Sequence, residues 1–353
     1  MFKAEFELEA ITPIFMRGAD QTKAEIRSSS IKGLMRWWFR ALAGNYFGND
    51  VVNLRKAEES IFGSTGRRSR VVVEISDVIG VKKCVLFKRG VIDRRSPTNQ
   101  LRYLWFSINL LARKNQFDEY YPAGTKFRLK IKATDEKSFK IALASLWALV
   151  TLGGIGFRSR RGAGSVRFCA GDLKEFNDLY LKTEFKNCED LKNSIERVIE
   201  LIGEELGKPK LDLDSVNYPV LNPKTSVVAL WDSGKEDPIQ ALAQFQRKYQ
   251  YFRRNGVSKP ERIVFGLPVN LGGKGVKSIR RNLSKIRNSR RASPLIIGLI
   301  PIGGKLYIKI VKFKTEQYHP DLDVNELADW SVIGQFNEYL GDMVVFGSLE
   351  VLS

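Results

Sequence analysis

The first ten residues alternate between apolar and charged side chains, and this pattern constrains the fold more than any other. Phe2, Ala4, Phe6, Leu8 and Ala10 hold the apolar positions, with Lys3, Glu5, Glu7 and Glu9 between them. A period of two puts the two sets of side chains on opposite faces of a β-strand. The chain therefore begins with a strand whose sheet has one buried face, and Pro13 ends it.

The rest of the first half supplies the partners of this strand. The pattern predicts a helix over 31–44, with Ser29 or Ser30 as its N-cap and Gly44-Asn45 as its stop. Further strands are predicted over 70–78, 83–89, 126–133 and 166–169, and a largely apolar helix over 138–152. This order fits a βαββαβ core of the ferredoxin-like kind in residues 1–170, with insertions between 45–70 and 90–125.

The second half repeats the outline more loosely. It predicts strands over 227–231, 263–269 and 343–352, helices over 238–254 and 323–340, and a hairpin of 295–301 with 305–313 around Gly303-Gly304. Between the halves, apolar residues at three- and four-residue spacing predict a helix that ends at Gly207. The expected class is α+β, with two tandem ferredoxin-like (RRM-like, βαββαβ) domains at 1–170 and 211–353 and a helical connector at 171–210.

The charge of the chain narrows its function. It has 58 Lys and Arg against 39 Asp and Glu, a net charge of +19. Such an excess attracts a polyanion, usually a nucleic acid and sometimes an anionic membrane. The excess is concentrated in residues 1–170, with 31 basic and 15 acidic residues, whereas 171–210 is slightly acidic.

The predicted helix over 31–44 carries a stripe of cations. Lys32, Arg36 and Arg40 are spaced i, i+4, i+8, which places them on one side about 6 Å apart. We expect no acidic neighbour, so an external anion, most simply phosphate, would compensate the stripe, aided by the positive potential and free N–H groups of the helix N-terminus. The alternative is a solvated basic face beside a tryptophan-rich core.

A glycine- and arginine-rich loop follows the apolar helix. Gly154 and Gly156 could bring the backbone close to a phosphate, and Arg158, Arg160 and Arg161 could supply charge and paired donors. The alternative is a flexible surface turn. The loop has no Gly-Lys-Ser/Thr and no preceding strand, so it is neither a Walker A loop nor a dinucleotide fingerprint, and a nucleotide hydrolase is disfavoured.

A second basic tract spans 247–291, with 14 Lys and Arg and one acidic residue, Glu261. Such a block repels itself and favours an anionic partner. Its candidate nucleic-acid-binding residues are Lys274, Lys277, Arg280, Arg281, Arg290 and Arg291. The tract could instead dock on an acidic face of a neighbouring subunit, or be a solvated loop.

Metal and membrane chemistry are disfavoured. Cys84, Cys169 and Cys188 lie far apart and His319 is the one histidine, so we expect reduced, mostly buried thiols, no metal and no cofactor. We see no apolar run long enough to span a membrane and no signal peptide, and expect a cytoplasmic protein.

Two motifs together carry a resemblance. SSSIKGLMRWWFRAL (28–42), preceded by ITPIFMRGAD (11–20), and LGGIGFRSRRGAGSV (152–166) resemble the RAMP superfamily, and within it subunit one of the type III-B CRISPR (Cmr) effector complex. The resemblance is specific over 1–170. It is weaker over 211–353, where RRASPLIIGLIP (290–301) is the main match.

The resemblance implies an RNA-binding, non-catalytic subunit that assembles with other Cmr subunits on CRISPR RNA and helps capture target RNA in antiviral defence. It places RNA contacts at Arg27, Lys32, Arg36, Arg40, Arg158, Arg160 and Arg161, with no catalytic residue and no small-molecule substrate. Two alternatives stay open. One is a RAMP-type, metal-independent endoribonuclease acting on CRISPR RNA, for which His319 is a poor general base. The other is a protein-assembly adaptor without RNA contact.

Overall fold

The structure, a computed structural model, describes most of the chain. The described residues are 1–79, 82–85, 87–88, 91–92, 96–113, 119–169, 173–258, 261–266, 292–316 and 329–352. The elements of the first half are β1 (Phe2–Ala10), α1 (Ser28–Phe47), α2 (Val51–Phe62), β2 (Val71–Ile79), β3 (Cys84–Val85), β4 (Phe87–Lys88), β5 (Val91–Ile92), α3 (Pro97–Gln100), α4 (Phe106–Arg113), β6 (Glu119–Tyr120), β7 (Lys126–Ala133), α5 (Glu136–Leu152) and β8 (Val166–Phe168). The elements of the second half are α6 (Lys174–Asn177), α7 (Cys188–Leu206), β9 (Ser226–Asp232), α8 (Pro238–Tyr251), β10 (Leu295–Ile302), β11 (Lys305–Phe313), α9 (Ser331–Leu340) and β12 (Met343–Phe346).

Two four-stranded antiparallel sheets organise the molecule. The first has the order β2-β7-β1-β8 and the second β10-β11-β9-β12. In each, the strands stand in the order second, third, first, fourth along the chain, with a helix between the first and second and another between the third and fourth. The predicted α+β class is confirmed.

The helices form two layers, one of which lies between the sheets. Helices α1, α5 and α7 share a hydrophobic core with the apolar face of the first sheet and with one face of the second. Helices α8 and α9 cover the other face of the second sheet. Strand β9 is therefore buried on both faces and reads Ser-Val-Val-Ala-Leu-Trp-Asp without alternation, as expected of a doubly covered strand.

Helix α7 is part of this shared layer. The hydroxyl of Tyr46 in α1 donates to the carbonyl of Ile199 in α7 over 2.7 Å, and α7 ends at Gly207 in the left-handed conformation, as predicted. The predicted connector is thus packed against the first sheet's helices. The boundaries proposed at 170 and 210 stay predictions.

Several element boundaries differ from the predictions. Helix α1 begins at Ser28, with Arg27 as an N-cap residue that makes no side-chain cap, and ends before Gly48, so the predicted caps are wrong. The predicted strand over 83–89 is replaced by short strands outside the main sheet, β3 paired with β6 and β4 with β5. In the described part of the predicted strand over 263–269, the chain forms a 3₁₀ turn, Glu261–Phe265, which buries three consecutive apolar residues. A second 3₁₀ turn, Leu349–Leu352, replaces the end of the predicted last strand, and residues 323–328 of the predicted last helix lie outside the described residues.

Candidate nucleic-acid interface

The basic stripe of α1 has a carboxylate of its own. Glu58 of α2, which is 4% exposed, accepts hydrogen bonds from Arg36 Nε and from Arg40 Nη1, the latter over 2.6 Å. The expectation that the stripe has no acidic neighbour is therefore wrong. Its cause is tertiary: α2 folds across α1, and Glu58 lies on the same apolar face as Leu54 and Ile61. A glutamate on an apolar helix face needs a charged partner, so the position of Glu58 between Leu54 and Ile61 in the sequence could have predicted a buried ion pair.

The stripe nevertheless keeps an excess of positive charge. One carboxylate faces two guanidinium groups, whose side chains stay 34% and 39% exposed. Lys32 Nζ donates to Ser69 Oγ (2.7 Å) and to the carbonyl of Val71 (2.8 Å), and burial and the nearby Arg36 lower its pKa. Glu58 fixes the two arginines in place and leaves their other N–H groups available.

A turn missed at the sequence level extends this surface. Arg67 and Arg68 are exposed in the turn that leads to Ser69, and neither pairs with a carboxylate of the described residues. We call Lys32, Arg36, Arg40, Arg67 and Arg68 the α1 patch. The patch holds five cations, and Glu58 pairs with only two of them, an excess of positive charge that suits a polyanion.

The N-terminus of α1 also lacks a negative charge. No side chain caps it, no acidic residue lies in its first turn, and Arg27 stands at the cap position with a weak pair, 3.9 Å to Glu25. Free amides and the helix dipole favour an anion at such an end.

The glycine–arginine loop is built into the molecule and is not a surface turn. Gly156 has a φ of +83°, and a Cβ there would lie 2.6 Å from the carbonyl oxygen of Phe15. Gly154 is buried, and a Cβ would lie 3.1 Å from the carbonyl oxygen of Gly164. Close backbone packing explains both glycines without a phosphate.

The arginines of this loop hold other parts of the chain. Arg158 Nε donates to Ser107 Oγ over 2.6 Å. The guanidinium of Arg160 lies 4.8 Å from the ring centroid of Trp37 in α1, and its Nη1 donates to the carbonyl of Ser293 over 2.7 Å. The Nη2 of Arg161 donates to the carbonyl of Phe265 over 3.1 Å.

These bonds bring two basic motifs together. Phe265 and Ser293 flank residues 267–291, which contain eight Lys and Arg and no Asp or Glu. The loop therefore holds the chain on both sides of residues 267–291, the C-terminal part of the second basic tract. The candidates Lys274, Lys277, Arg280, Arg281, Arg290 and Arg291 lie outside the described residues, but the chain enters and leaves their segment at the loop.

The exposed face of the first sheet is not a basic surface. Its charges pair across the strands: Lys130 with Glu5 (2.9 Å), Lys132 with Glu74 (2.7 Å) and Arg167 with Glu9 (2.8 Å). RRM proteins stack bases on aromatic side chains of the equivalent face. This paired face does not offer that chemistry.

A cavity of about 470 Å³ lies between β8, the end of α5 and β10. Glu7 and Glu9 line it together with Lys126 and Arg167, so its charges are mixed. Of the residues that are predicted to bind RNA and are described, none lines it.

The described residues add little to metal or thiol chemistry. Among them, no group of three His, Cys, Asp or Glu could hold a metal ion. The three cysteines are free and half-buried rather than buried, and burial, with Glu7 nearby, raises the pKa of Cys169 to about 11. Within the part of the chain that is described, no helix is both long and apolar enough to cross a membrane. His319 lies outside the described residues.

Comparison with known proteins defines the class. The model of the RAMP superfamily matches residues 7–167, and the model of the Cmr1-like C-terminal region matches residues 225–347. The first half of the chain, which carries α1 and the glycine–arginine loop, is thus that of a RAMP protein.

Individual relatives define the family. The Pyrococcus furiosus protein "CRISPR system Cmr subunit Cmr1-1" is 38% identical over 341 residues, 96% of either chain. Its paralogue "Cmr1-2" is 45% identical over 188 residues, 47% of this chain and 95% of that one. The chain belongs to the Cmr1 family of the RAMP superfamily.

Solved structures agree with this assignment. The crystal structure of apo Cmr1 from Pyrococcus furiosus matches with a TM-score of 0.73 and 36% identity, covering 98% of this chain and 99% of that one. A chain in the cryo-EM structure of type III-B Cmr-beta bound to cognate target RNA matches with a TM-score of 0.54 at 17% identity, covering 96% and 98%. The second match shows the fold alone.

Proposed function

We propose that this chain is a non-catalytic, RNA-binding subunit of a type III-B CRISPR (Cmr) ribonucleoprotein, which binds CRISPR RNA and captures complementary target RNA. Membership of the Cmr1 family supports assembly with other Cmr subunits, because the relative at 38% identity is named a Cmr subunit. The shared strand order of the two sheets supports tandem ferredoxin-like domains at 1–170 and 211–353.

The position of Arg160 is the observation that carries the RNA-binding part. Its guanidinium contacts Trp37 of α1, and its Nη1 bonds to Ser293, which follows the basic tract. One arginine of the loop thus touches both the helix that carries the basic stripe and the chain just after the basic tract. Since an RNA strand presents phosphates at regular intervals, such a junction suits its backbone.

The mechanism is phosphate neutralisation without base reading. Arg36 and Arg40 are held by Glu58 with side chains that stay partly exposed, and Arg67 and Arg68 add exposed charge. Sequence is then read by pairing between guide and target, as in other RNA-guided complexes.

Binding of single-stranded RNA across a salt series tests this proposal. If about 4–6 phosphates are neutralised, log K falls with a slope of roughly −3 to −4 against log salt. We expect Arg68→Glu to weaken binding of unrelated RNA sequences by a similar factor and to reduce the slope by about 1. Lys305→Glu is the control: Lys305 is an exposed lysine at the hairpin of the second sheet, and the change in net charge is the same.

Three outcomes would contradict the proposal. Equal losses in Arg68→Glu and Lys305→Glu would mean that net charge alone matters. Retention of the subunit after RNase digestion of the complex, together with no binding of RNA by the free subunit, would favour a protein adaptor. Cleavage of guide or target RNA by the purified subunit would show an endoribonuclease.

A further inference from the structure

Three arginines gather around one buried tyrosine where the glycine–arginine loop meets α8. The guanidinium groups of Arg161 and Arg253 each lie 5.5 Å from the ring centroid of Tyr249. Arg158 is close enough for its charge to interact with both Arg161 and Tyr249, and burial together with Arg161 lowers the pKa of Arg158 to about 10. We call these four residues the arginine–tyrosine cluster.

Within the described part of the chain, the three cations of this cluster have no carboxylate partner. The hydrogen-bond acceptors of their guanidinium groups are neutral: Ser107 Oγ for Arg158, the Phe265 carbonyl for Arg161 and Tyr103 Oη for Arg253. No ion pair of the described residues includes any of the three arginines. Like charges that are partly removed from water repel more strongly than on the surface, so the arrangement is unfavourable without an anion.

Unpaired hydrogen-bond donors in the cluster also indicate an anionic ligand. Arg161 Nη1, Arg253 Nε and Tyr249 Oη are all buried and have no hydrogen-bond partner among the described residues. Tyr249 is 1% exposed. Buried polar groups in folded proteins are nearly always paired, and two of these three donors belong to the cluster's own guanidinium groups, so the cluster lacks acceptors that an anion with several oxygens would supply.

We propose that the arginine–tyrosine cluster binds a phosphoryl group. A phosphoryl group offers several oxygens in a tetrahedral arrangement and up to two negative charges, whereas a carboxylate offers two coplanar oxygens and one charge. Arginine is suited to phosphate recognition because its donors are fixed in a planar fork. The inference deepens the proposed RNA-binding function and rests on it for the source of the group, since RNA carries phosphoryl groups along its backbone and at its ends.

Inorganic phosphate is the first probe, because it needs no RNA. Its affinity for the full chain is measured by calorimetry, against chloride at equal ionic strength. Arg158→Asn removes one cation from a residue with a φ of +63°, a conformation that asparagine tolerates. Tyr249→Phe keeps the ring and removes the unpaired hydroxyl. Arg102→Gln removes an exposed arginine, bonded to Asn99, one residue before Tyr103, and is the control.

We expect phosphate affinity to fall about ten- to hundredfold in Arg158→Asn, the range for a lost hydrogen bond to a charged group, and to stay unchanged in Arg102→Gln. Weaker phosphate binding in Tyr249→Phe at unchanged thermal stability gives the same conclusion with the fold preserved. Absence of phosphate binding by the wild-type chain, or equal affinity in all variants, overturns the inference.

RNA oligonucleotides of one sequence that end in hydroxyl, 5′-phosphate or 3′-phosphate identify the source. Tighter binding of one phosphorylated end, lost in Arg158→Asn, assigns a terminal phosphate. Equal binding of the three RNAs, weakened alike in Arg158→Asn, assigns a backbone phosphate. If the chain binds inorganic phosphate but no RNA, the proposed function fails and the phosphoryl site stands. If RNA binds and neither Arg158→Asn nor Tyr249→Phe weakens it, the proposed RNA-binding function stands and the cluster is not a site for RNA phosphoryl groups.

Discussion

A lysine buried between the two halves should make stability depend on pH. Lys309 of β11 is 1% exposed, and its Nζ donates to the carbonyls of Val150 (3.3 Å) and Thr151 at the end of α5. Gly298 on the neighbouring strand leaves room for it, since a Cβ there would lie 2.6 Å from Lys309 Cε. Burial lowers the pKa of Lys309 from 10.5 to about 7.

The sign and size of the effect follow from this pKa. The folded state releases the proton near pH 7, whereas the unfolded state keeps it until about pH 10.5, so the unfolded state binds more protons in between. The free energy of unfolding therefore rises with pH in this window, by about 2 kcal/mol between pH 7 and pH 9. The helix C-terminus favours the charged form by about 1 kcal/mol, which makes this value an upper limit.

Urea unfolding at a series of pH values between 7 and 9, on wild type and Lys309→Met, measures the effect. Methionine cannot titrate, so we expect the rise with pH to be smaller in the variant by about 1–2 kcal/mol. Lys305→Met, at an exposed position of the same hairpin, should keep the wild-type slope. Taking the difference between wild type and variant removes the contribution of Cys169 and other groups. Parallel pH profiles for wild type and Lys309→Met would refute the reasoning.

Two further predictions concern the second sheet and the loop that packs on it. Lys312 and Asp342 form a fully buried ion pair at 2.9 Å, so Asp342→Asn, which leaves the lysine without its charged partner, should lower the free energy of unfolding by about 3–5 kcal/mol. A double variant with Lys312→Met and Asp342→Leu should recover most of that stability. Equal losses of stability in the single and the double variant, measured by urea unfolding, would contradict this. Gly162 has a φ of +83°, and a Cβ there would lie 2.5 Å from Leu242 Cδ2. Gly162→Ala should therefore destabilise the fold by more than the roughly 1 kcal/mol expected of Gly207→Ala, because Gly207 also has a left-handed backbone but open space around it. Equal melting temperatures of the two variants would show that Leu242 moves aside.

The sequence predicted best those strands that have one face in water. In β1 and β7 the apolar and charged residues alternate because only one face packs on helices, and the predicted bounds of β7 match the structure. The prediction of a strand over 263–269 was wrong for the opposite reason, because the turn Glu261–Phe265 has no face in water that alternates with a buried one. Ile263, Val264 and Phe265 are all buried, on successive sides of a tight turn, and such a run cannot be told from a buried strand by periodicity.

Charge patterns located the basic motifs but not their partners. The spacing of Arg36 and Arg40 correctly placed both on one side of a helix, whereas Glu58 reaches them only through the packing of a second helix. Likewise, nothing local shows that Arg160 and Arg161 bond to carbonyls more than 100 residues away. Ion pairs and hydrogen bonds between distant segments depend on the tertiary fold, which a single sequence does not display.

The helical layer of α1, α5 and α7 serves two sheets at once, and this joins the folding of the two halves. Removal of either half would leave a broad apolar surface of the remaining one in contact with water, and the hydrophobic effect makes such a fragment unstable or prone to associate. The chain should consequently melt in a single cooperative transition, and neither half should persist as an independent folding unit.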